Sequence, residues 1–289
     1  MTNTYLRMIG VCACFGVFLS AGCDRREEAS EAEADKPRPH VILISIDTLR
    51  ADHLGCYGYA RDTSPNIDRL ARKSIRFENA YAQASWTLPS HMSIMTSQYP
   101  HVHGVEQQGQ ALPESATTLA ETLSDAGYLT AALISWVFVG EKYGFAQGFD
   151  QFTELVPPPE LVDSATSAAF KAEQVTDHAI EWLSRDRDQP FFLFLHYFDP
   201  HINYDAPEPY TTMFDPDYDG PAKGDFDWIT PYIKGLHHNP RRVGMRDLKH
   251  LKALYDGEIR YTDAHLGRFF DALDRSVGLD NCLIVLTSD

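Results

Sequence analysis

The chain has 289 residues, of which 44% are hydrophobic and 12% aromatic, and this composition excludes a wholly disordered protein. Its 25 Lys and Arg residues against 41 Asp and Glu residues give a formal net charge of −16, which argues against a nucleic-acid partner, because phosphates require a basic face. The acidic composition does not exclude a small anionic substrate, since a bound cation reverses the local electrostatic field.

The first 22 residues have the pattern of a secretory signal peptide. Arg7 precedes a largely uncharged run, residues 8–21, which is too short to span a bilayer as a mature helix and ends in small residues. The run leads into Cys23 and resembles a bacterial lipoprotein signal, with lipid attached to the Cys23 sulfur. We therefore expect a protein of the bacterial cell envelope, extracytoplasmic and lipid-anchored to the membrane. A simple signal peptide or an uncleaved anchor is the alternative.

Residues 23–39 are predicted to form a disordered tether. The segment is rich in charge and has no large apolar side chain, so it cannot bury enough surface to offset the entropy of ordering. The folded domain is then residues 40–289, and its two cysteines are Cys56 and Cys282. Outside the cytoplasm these cysteines permit either a disulfide or two buried free thiols.

Four continuous apolar runs predict strands buried on both faces of a parallel sheet: residues 41–46, 129–135, 191–195 and 282–286. Helical patterns alternate with them, beginning at Ser64-Pro65 and covering 118–126, 165–185 and 247–277. This alternation predicts an α/β fold, with a mostly parallel sheet and helices on both faces. Residues 200–246 are rich in Pro, Asp, Gly and Tyr, which indicates a long excursion of the kind that covers a site.

Polar residues follow three of the predicted strands. Asp47 follows the first, and Asp289 follows the last. The third runs into His196, Asp199 and His201. Ligands of open α/β sheets bind beyond the carboxyl ends of strands, and carboxylates gathered there favour a divalent cation. A capped turn is the alternative for each Asp, and we interpret His196 as a hydrogen-bonded core histidine.

A second candidate feature is a helix start near Pro89, which places Thr87 at or just before the first helical turn. The free N–H groups and the positive dipole end of such a helix favour phosphate or sulfate. His91 follows Thr87 by one helical turn and is predicted to face the same side. A Thr N-cap followed by a surface histidine is the alternative.

Together these segments resemble the sulfatase family of the alkaline phosphatase superfamily, in the family's order across residues 40–289. The matching pieces include ISIDTLRADHLGCYG at 44–58, TLPSH at 87–91, DPH at 199–201, YDGEI at 255–259 and LTSD at 286–289. The resemblance implies an alkaline-phosphatase-like sheet, with a catalytic domain that is incomplete and truncated at its C-terminus.

The resemblance also implies one divalent metal ion, Ca²⁺, Mg²⁺ or Mn²⁺, beside a nucleophile. Asp47 and Asp289 match metal carboxylates. Thr87 falls where sulfatases carry the Cys or Ser that becomes formylglycine, and this position implies a nucleophile that also contacts the metal. His201 is similar to the family's substrate-facing histidine, a candidate general acid. His91 stands in place of an Arg and is the third candidate catalytic residue.

Two departures from the family pattern decide the expected chemistry. Thr87 cannot become formylglycine because its Cβ carries a methyl group, and Thr48 stands where a second metal carboxylate is usual. Family membership therefore points to sulfate esters, and the nucleophile points to phosphate esters or diesters. We expect a metal-dependent hydrolase of sulfuric or phosphoric esters, with a covalent intermediate on Thr87. The alternatives are a phosphotransferase or phosphodiesterase acting on envelope glycerophosphates, and a non-catalytic binding lipoprotein or inactive fragment.

Overall fold

The structure, a computed structural model, describes three stretches of the chain: residues 38–156, 169–235 and 243–289. Pro39–Asp289 forms one compact unit. The predicted signal peptide, nearly all of the predicted tether and the predicted lipidation site Cys23 lie outside the described residues. Across the three described stretches, no helix combines the length and the apolar character needed to cross a membrane.

A five-stranded sheet forms the centre of the unit. Its strands are β1 (His40–Ile46), β2 (Leu129–Ile134), β3 (Gln151–Glu154), β4 (Phe191–Tyr197) and β5 (Cys282–Ser288). They lie in the order β3-β2-β4-β1-β5, and every neighbouring pair is parallel. The four apolar runs thus form strands, as predicted. The sequence did not predict β3, because this strand is short and mostly exposed.

Helices connect the strands: α1 (Pro65–Ala71), α2 (Thr87–Thr96), α3 (Pro100–His103), α4 (Leu119–Asp125), α5 (Ala172–Leu183), α6 (Phe226–Gly235) and α7 (Met245–Val277). The helix predicted from residue 165 begins at Ala172, and residues 157–168 lie outside the described stretches. The predicted excursion contains α6, which its irregular composition did not indicate.

The two faces of the sheet carry separate apolar cores, because side chains alternate along each strand. Ile42 and Ile44 of β1 pack in a cluster with residues of α1, α5 and α7. Leu43 faces the opposite way, into a second cluster with residues of α2 and α4. The predicted α/β architecture with helices on both faces is therefore confirmed.

Cys56 lies in the short 3-10 helix Gly55–Tyr57, and Cys282 begins β5. Both are half-buried free thiols. Of the two alternatives that the sequence left open, the structure shows free thiols.

A long-range cap joins the start of α1 to α7. Ser64 and Pro65 precede and open α1 as predicted, but the Ser64 side chain does not cap the helix. The buried carboxylate of Asp263 does so instead, accepting the backbone N–H of Asn66 at 3.0 Å and that of Ile67 at 2.8 Å. Since the first N–H groups of a helix have no partner within it, this contact satisfies donors that would otherwise be buried and unpaired.

We expect Asp263→Ala to lower the free energy of unfolding by about 2 kcal/mol, because the two N–H groups lose their acceptor. Urea unfolding followed by circular dichroism measures the loss. Asp271→Ala is the matched control on the same helix, since its side chain is 63% exposed and 3.6 Å from Arg69. That control should lose less than about 0.5 kcal/mol. Equal losses in the two variants would show that the cap contributes nothing.

Candidate active site

The carboxyl ends of β1 and β4 lie side by side and carry the first polar residues of the site. Their register pairs Ser45 with His196. Asp47 follows β1 directly, and its N–H donates to the carbonyl of Tyr197 at 2.9 Å. Because side chains alternate, Ser45 and Asp47 point to the face covered by α2. The strand pairing therefore brings Asp47 and His196 to one point beneath α2.

Thr87 is the first residue of α2, after Trp86 in extended conformation. Its Oγ1 donates to Oδ2 of Asp47 at 3.3 Å, and the residue is only 8% exposed. The predicted helix start is confirmed, although Trp86 rather than Thr87 occupies the capping position. The hydroxyl therefore lies at the positive end of the α2 dipole and in contact with a carboxylate.

Asp47 is fully buried, and its Oδ1 has no hydrogen-bond partner among the described residues. Burial raises the pKa of the Asp47 carboxyl well above its usual value, the charge of Asp289 raises it further, and the Thr87 hydroxyl lowers it. A charged carboxylate in such a place is costly unless a cation or a proton accompanies it.

Asp289 reaches the same point from the other side of β1, because β5 pairs with β1 up to Ser288. Its Oδ1 accepts the N–H of Thr48 at 3.0 Å. Thr48 has a φ of 53°, in the left-handed region that residues other than glycine seldom adopt. The hydroxyl of Tyr255 on α7 donates to the Thr48 carbonyl at 2.8 Å. The turn after β1 is thus held from two sides, which keeps both carboxylates in place.

His91 is fully buried, so the alternative of a surface histidine is wrong. Its Nδ1 donates to the backbone carbonyl of Thr87 at 3.0 Å and lies 3.6 Å from Oδ2 of Asp289. Its Nε2 lies 2.8 Å from the Ser45 hydroxyl. Burial lowers the pKa of His91, and the charge of Asp289 opposes that change. The ring thus contacts the Thr87 backbone, which is the geometry of a positioning residue, and its catalytic role stays a prediction.

His201 lies in the loop after β4. Its ring stacks on Phe198 with a centroid distance of 4.4 Å and approaches Trp136 at 6.2 Å. Its Nδ1 donates to the carbonyl of Ile202 at 2.7 Å. Burial lowers the pKa of His201, while the charge of Asp289 raises it. The role of His201 as general acid stays a prediction.

His196 belongs to the site, which reasoning from the sequence missed. It is fully buried, as expected for a core histidine, but its Nε2 has no partner among the described residues and lies 3.8 Å from Oδ2 of Asp47. Its ring meets that of His91 edge-on at 4.9 Å. The only signal in the sequence was its place near the end of a predicted strand.

Asp199, the other acid after β4, serves the helix layer on the opposite face. Its Oδ2 accepts the N–H of Ala172 at the start of α5, at 2.6 Å. Burial raises its pKa to about 6, and the bond from Ala172 lowers it. Asp199 therefore caps the start of a helix and not the turn after its own strand.

The side chains around Asp47 offer oxygen ligands for a divalent cation. Over the described stretches, no three His, Cys, Asp or Glu side chains gather into a ready ligand set. The partnerless oxygen of Asp47, the neighbouring carboxylate of Asp289 and the hydroxyl of Thr87 nevertheless suit a cation that prefers oxygen ligands. These three residues, which the resemblance also implied, are the ones that would hold it.

A sequence model of the Sulfatase family matches residues 39–289. N-acetylglucosamine-6-O-sulfatase of Bacteroides thetaiotaomicron is 29% identical over 220 residues, which cover 68% of this chain and 38% of that protein. Human iduronate 2-sulfatase is 26% identical, and the alignment covers 95% of this chain and 58% of that protein. The chain thus spans less than two thirds of the length of these relatives.

Solved structures agree on the fold. Phosphonate monoester hydrolase of Agrobacterium radiobacter superposes with a TM-score of 0.68 at 24% identity, over 87% of this chain and 62% of that one. A protein of the alkaline phosphatase superfamily from Vibrio parahaemolyticus gives a TM-score of 0.59 at 20% identity, over 88% of this chain and 54% of that one. The predicted alkaline-phosphatase-like architecture is confirmed.

In chelator-treated protein at pH 8, we expect Asp47→Asn to raise the free energy of unfolding by about 1 kcal/mol or more. A carboxyl whose pKa is higher in the folded than in the unfolded state stabilises the fold most at low pH. This stabilisation is lost as the pH rises above the pKa of the unfolded state. The advantage of the variant should therefore shrink towards pH 4. Urea unfolding at pH 4, 6 and 8 measures it.

Asp52→Asn is the control, since its side chain is 65% exposed and paired with Arg50 on the surface. It should not gain stability at pH 8. A wild-type protein that is more stable than Asp47→Asn at pH 8 without metal would contradict the assignment of Asp47 as an uncompensated buried charge.

Proposed function

The chain belongs to the sulfatase family, and on that premise we propose that it is the catalytic part of a hydrolase of sulfuric or phosphoric esters that uses Thr87 as nucleophile. One observation carries the proposal. The buried Thr87 hydroxyl, at the start of α2, donates to the carboxylate of Asp47 at 3.3 Å. This contact orients the oxygen and gives its proton an acceptor.

The attack itself is assigned to Oγ1 of Thr87. The oxygen forms a bond to phosphorus or sulfur as the bond to the alcohol portion of the ester breaks, which leaves the transferred group on Thr87. A divalent cation held by Asp47 and Asp289 would supply positive charge that favours the deprotonated hydroxyl and the anionic ester. The free N–H groups in the first turn of α2 are those of Thr87 and Leu88, since Pro89 has none, and they would suit the non-bridging oxygens of the ester.

His201 is assigned to the leaving group. Because its Nδ1 donates to Ile202, Nε2 is the nitrogen that would give a proton to the departing oxygen. A water molecule then attacks the transferred group and returns a proton to His201, the bond from that group to Thr87 breaks, Thr87 regains its proton from Asp47, and the acid is released. His91 acts on this sequence indirectly, since it holds the Thr87 backbone and lies beside Asp289.

Phosphate esters are the chemically preferred substrates. The methyl group on the Cβ of Thr87 prevents oxidation to formylglycine. A sulfuryl group transferred to Thr87 would therefore form a simple sulfate ester of threonine, which water would have to hydrolyse by attack at sulfur. The matched relatives bear the names of sulfatases, which supports sulfate esters as the alternative class of substrate. A phosphotransferase or phosphodiesterase acting on envelope glycerophosphates would use the same nucleophile. A protein that binds esters without turning them over would contradict the proposal of an enzyme.

We expect Thr87→Ala to lower kcat about a thousandfold or more, because no other group replaces the covalent step. Turnover of an aryl sulfate, a phosphate monoester and a phosphodiester, each with Ca²⁺, Mg²⁺ or Mn²⁺, measures the change. Thr96→Ala is the matched control at the other end of α2, where the hydroxyl donates to the Met92 carbonyl at 2.7 Å and accepts the Gln98 N–H at 3.3 Å.

Full activity in Thr87→Ala would refute the nucleophile. Turnover of the sulfate ester alone would refute the preference for phosphorus. Metal-dependent binding of all three esters without turnover by the wild type would favour the binding lipoprotein.

Membrane attachment through lipid on Cys23 is a separate proposal, supported by the signal-like run before it. Cys23→Ala in the full chain is expected to move the protein from the membrane fraction to the soluble extracytoplasmic fraction. Fractionation with immunoblotting measures this. A variant that stays in the membrane fraction would contradict lipid anchoring.

A further inference from the structure

A continuous row of aromatic rings lies beside the candidate site. In spatial order, its members are Trp86, Phe138, Trp136, Phe198 and His201. The centroids of neighbouring rings are 5.7, 5.7, 4.4 and 4.4 Å apart, so each ring packs directly on the next. We call these five side chains the aromatic row.

The two ends of the aromatic row lie at the residues that carry the proposed chemistry. Trp86 directly precedes Thr87 and is in extended conformation before α2. At the other end, His201 stacks on Phe198 and approaches Trp136 at 6.2 Å. The row thus joins the nucleophile to the residue assigned to the leaving oxygen, and the ester must lie between these two groups.

The aromatic row leaves apolar surface uncovered. Trp136 and Phe198 are buried, at 6% and 4% exposure. Trp86 and Phe138 are only half-buried, and Val137, next to Phe138 in the chain, is 40% exposed. The two half-buried rings meet edge-on, with an interplanar angle of 84°, and pack against the apolar cluster of α2 and α4. Since burial of aromatic surface is favourable, their uncovered parts suit an apolar group of a ligand.

We propose that Trp86 and Phe138 bind the alcohol portion of the ester and select an alcohol that carries an apolar ring. The inference rests on the proposed function, in which His201 gives a proton to the leaving oxygen. The carbon skeleton of the alcohol is attached to that oxygen, so it comes to lie next to the aromatic row. Trp86 and Phe138 are therefore assigned to specificity and take no part in the bond changes.

This assignment distinguishes between the substrates that the proposed nucleophile leaves open. A glycerol portion carries polar groups along its whole length, so it gains little from contact with aromatic rings. A ring that removes about 60 Å² of apolar surface from water binds about tenfold more tightly. The aromatic row therefore favours esters of ring-bearing alcohols over envelope glycerophosphates.

The test measures binding and does not require turnover. The full chain is titrated with benzylphosphonate and with ethylphosphonate, in which a methylene carbon replaces the leaving oxygen and prevents cleavage. Phenylmethanesulfonate and ethanesulfonate form the corresponding pair for sulfate esters. Calorimetry measures each affinity with Ca²⁺, Mg²⁺ or Mn²⁺ present.

The variant is Phe138→Ala, which removes one half-buried ring of the aromatic row. Its control is Phe149→Ala, since Phe149 is also half-buried and packs against the same apolar cluster. The Phe149 ring stacks on Phe192 near the start of β4, whereas the site lies at the other end of that strand. Circular dichroism verifies the fold. If the alanine variant does not fold, Phe138→Leu replaces it, because leucine keeps an apolar side chain without a ring.

We expect the wild type and Phe149→Ala to bind the ring-bearing probe of a pair about tenfold more tightly than the ethyl probe. Phe138→Ala should lose most of this preference, while its affinity for the ethyl probe changes little. Equal affinity of the wild type for the two probes of each pair would overturn the proposal, whether or not the variants fold. So would a folded Phe138 variant that keeps the full preference. A wild type that binds none of the four probes would also overturn this inference, whereas the nucleophile is judged separately by the turnover of Thr87→Ala.

Discussion

The carboxylate of Asp47 is buried without a complete set of partners, and the arrangement of the candidate site depends on that one charge. Its Oδ2 receives the Thr87 hydroxyl, and its Oδ1 receives nothing within the described residues. The sheet order places β1 between β4 and β5, which brings His196 to one side and Asp289 to the other. Burial makes the charged form of Asp47 costly. The contact between the Thr87 hydroxyl and a charged Asp47 is therefore stable only if positive charge is supplied at the site. The start of α2 supplies part of it, and the proposed cation would supply the rest.

Under the proposed function, this local balance would let a chain with a net charge of −16 accept an anionic ester. A bound ester would experience the electrostatic field at the strand ends and not the total charge of the chain, and a cation held there would be the largest single contribution to that field. Burial lowers the pKa of His91, His196 and His201, the histidines nearest the carboxylates, and so disfavours their charged forms. The left-handed turn at Thr48, fastened by Asp289 and Tyr255, keeps the two acids from moving apart.

Much of this could be predicted from the sequence, for identifiable reasons. Strands buried on both faces read as continuous apolar runs, so four of five were found, whereas the short and exposed β3 has no such signal. Asp47 and Asp289 could be placed together, because parallel strands end at the same edge. The burial of His91 and the position of His196 could not be predicted, since both depend on which strand lies beside β1. That pairing joins segments about 150 residues apart. It depends on how the helix layers pack against the sheet, and a local sequence pattern does not predict this packing.

The most direct test is to identify the covalent intermediate on Thr87. The full chain is mixed with an ester that it turns over, quenched in acid within the first turnovers and digested, and the peptide containing Thr87 is examined by mass spectrometry. Thr87 should carry one phosphoryl or sulfuryl group, which is absent without substrate and absent from Thr87→Ala. An unmodified Thr87 in protein that is turning over the ester, or the transferred group on another residue, would contradict the role assigned to this hydroxyl.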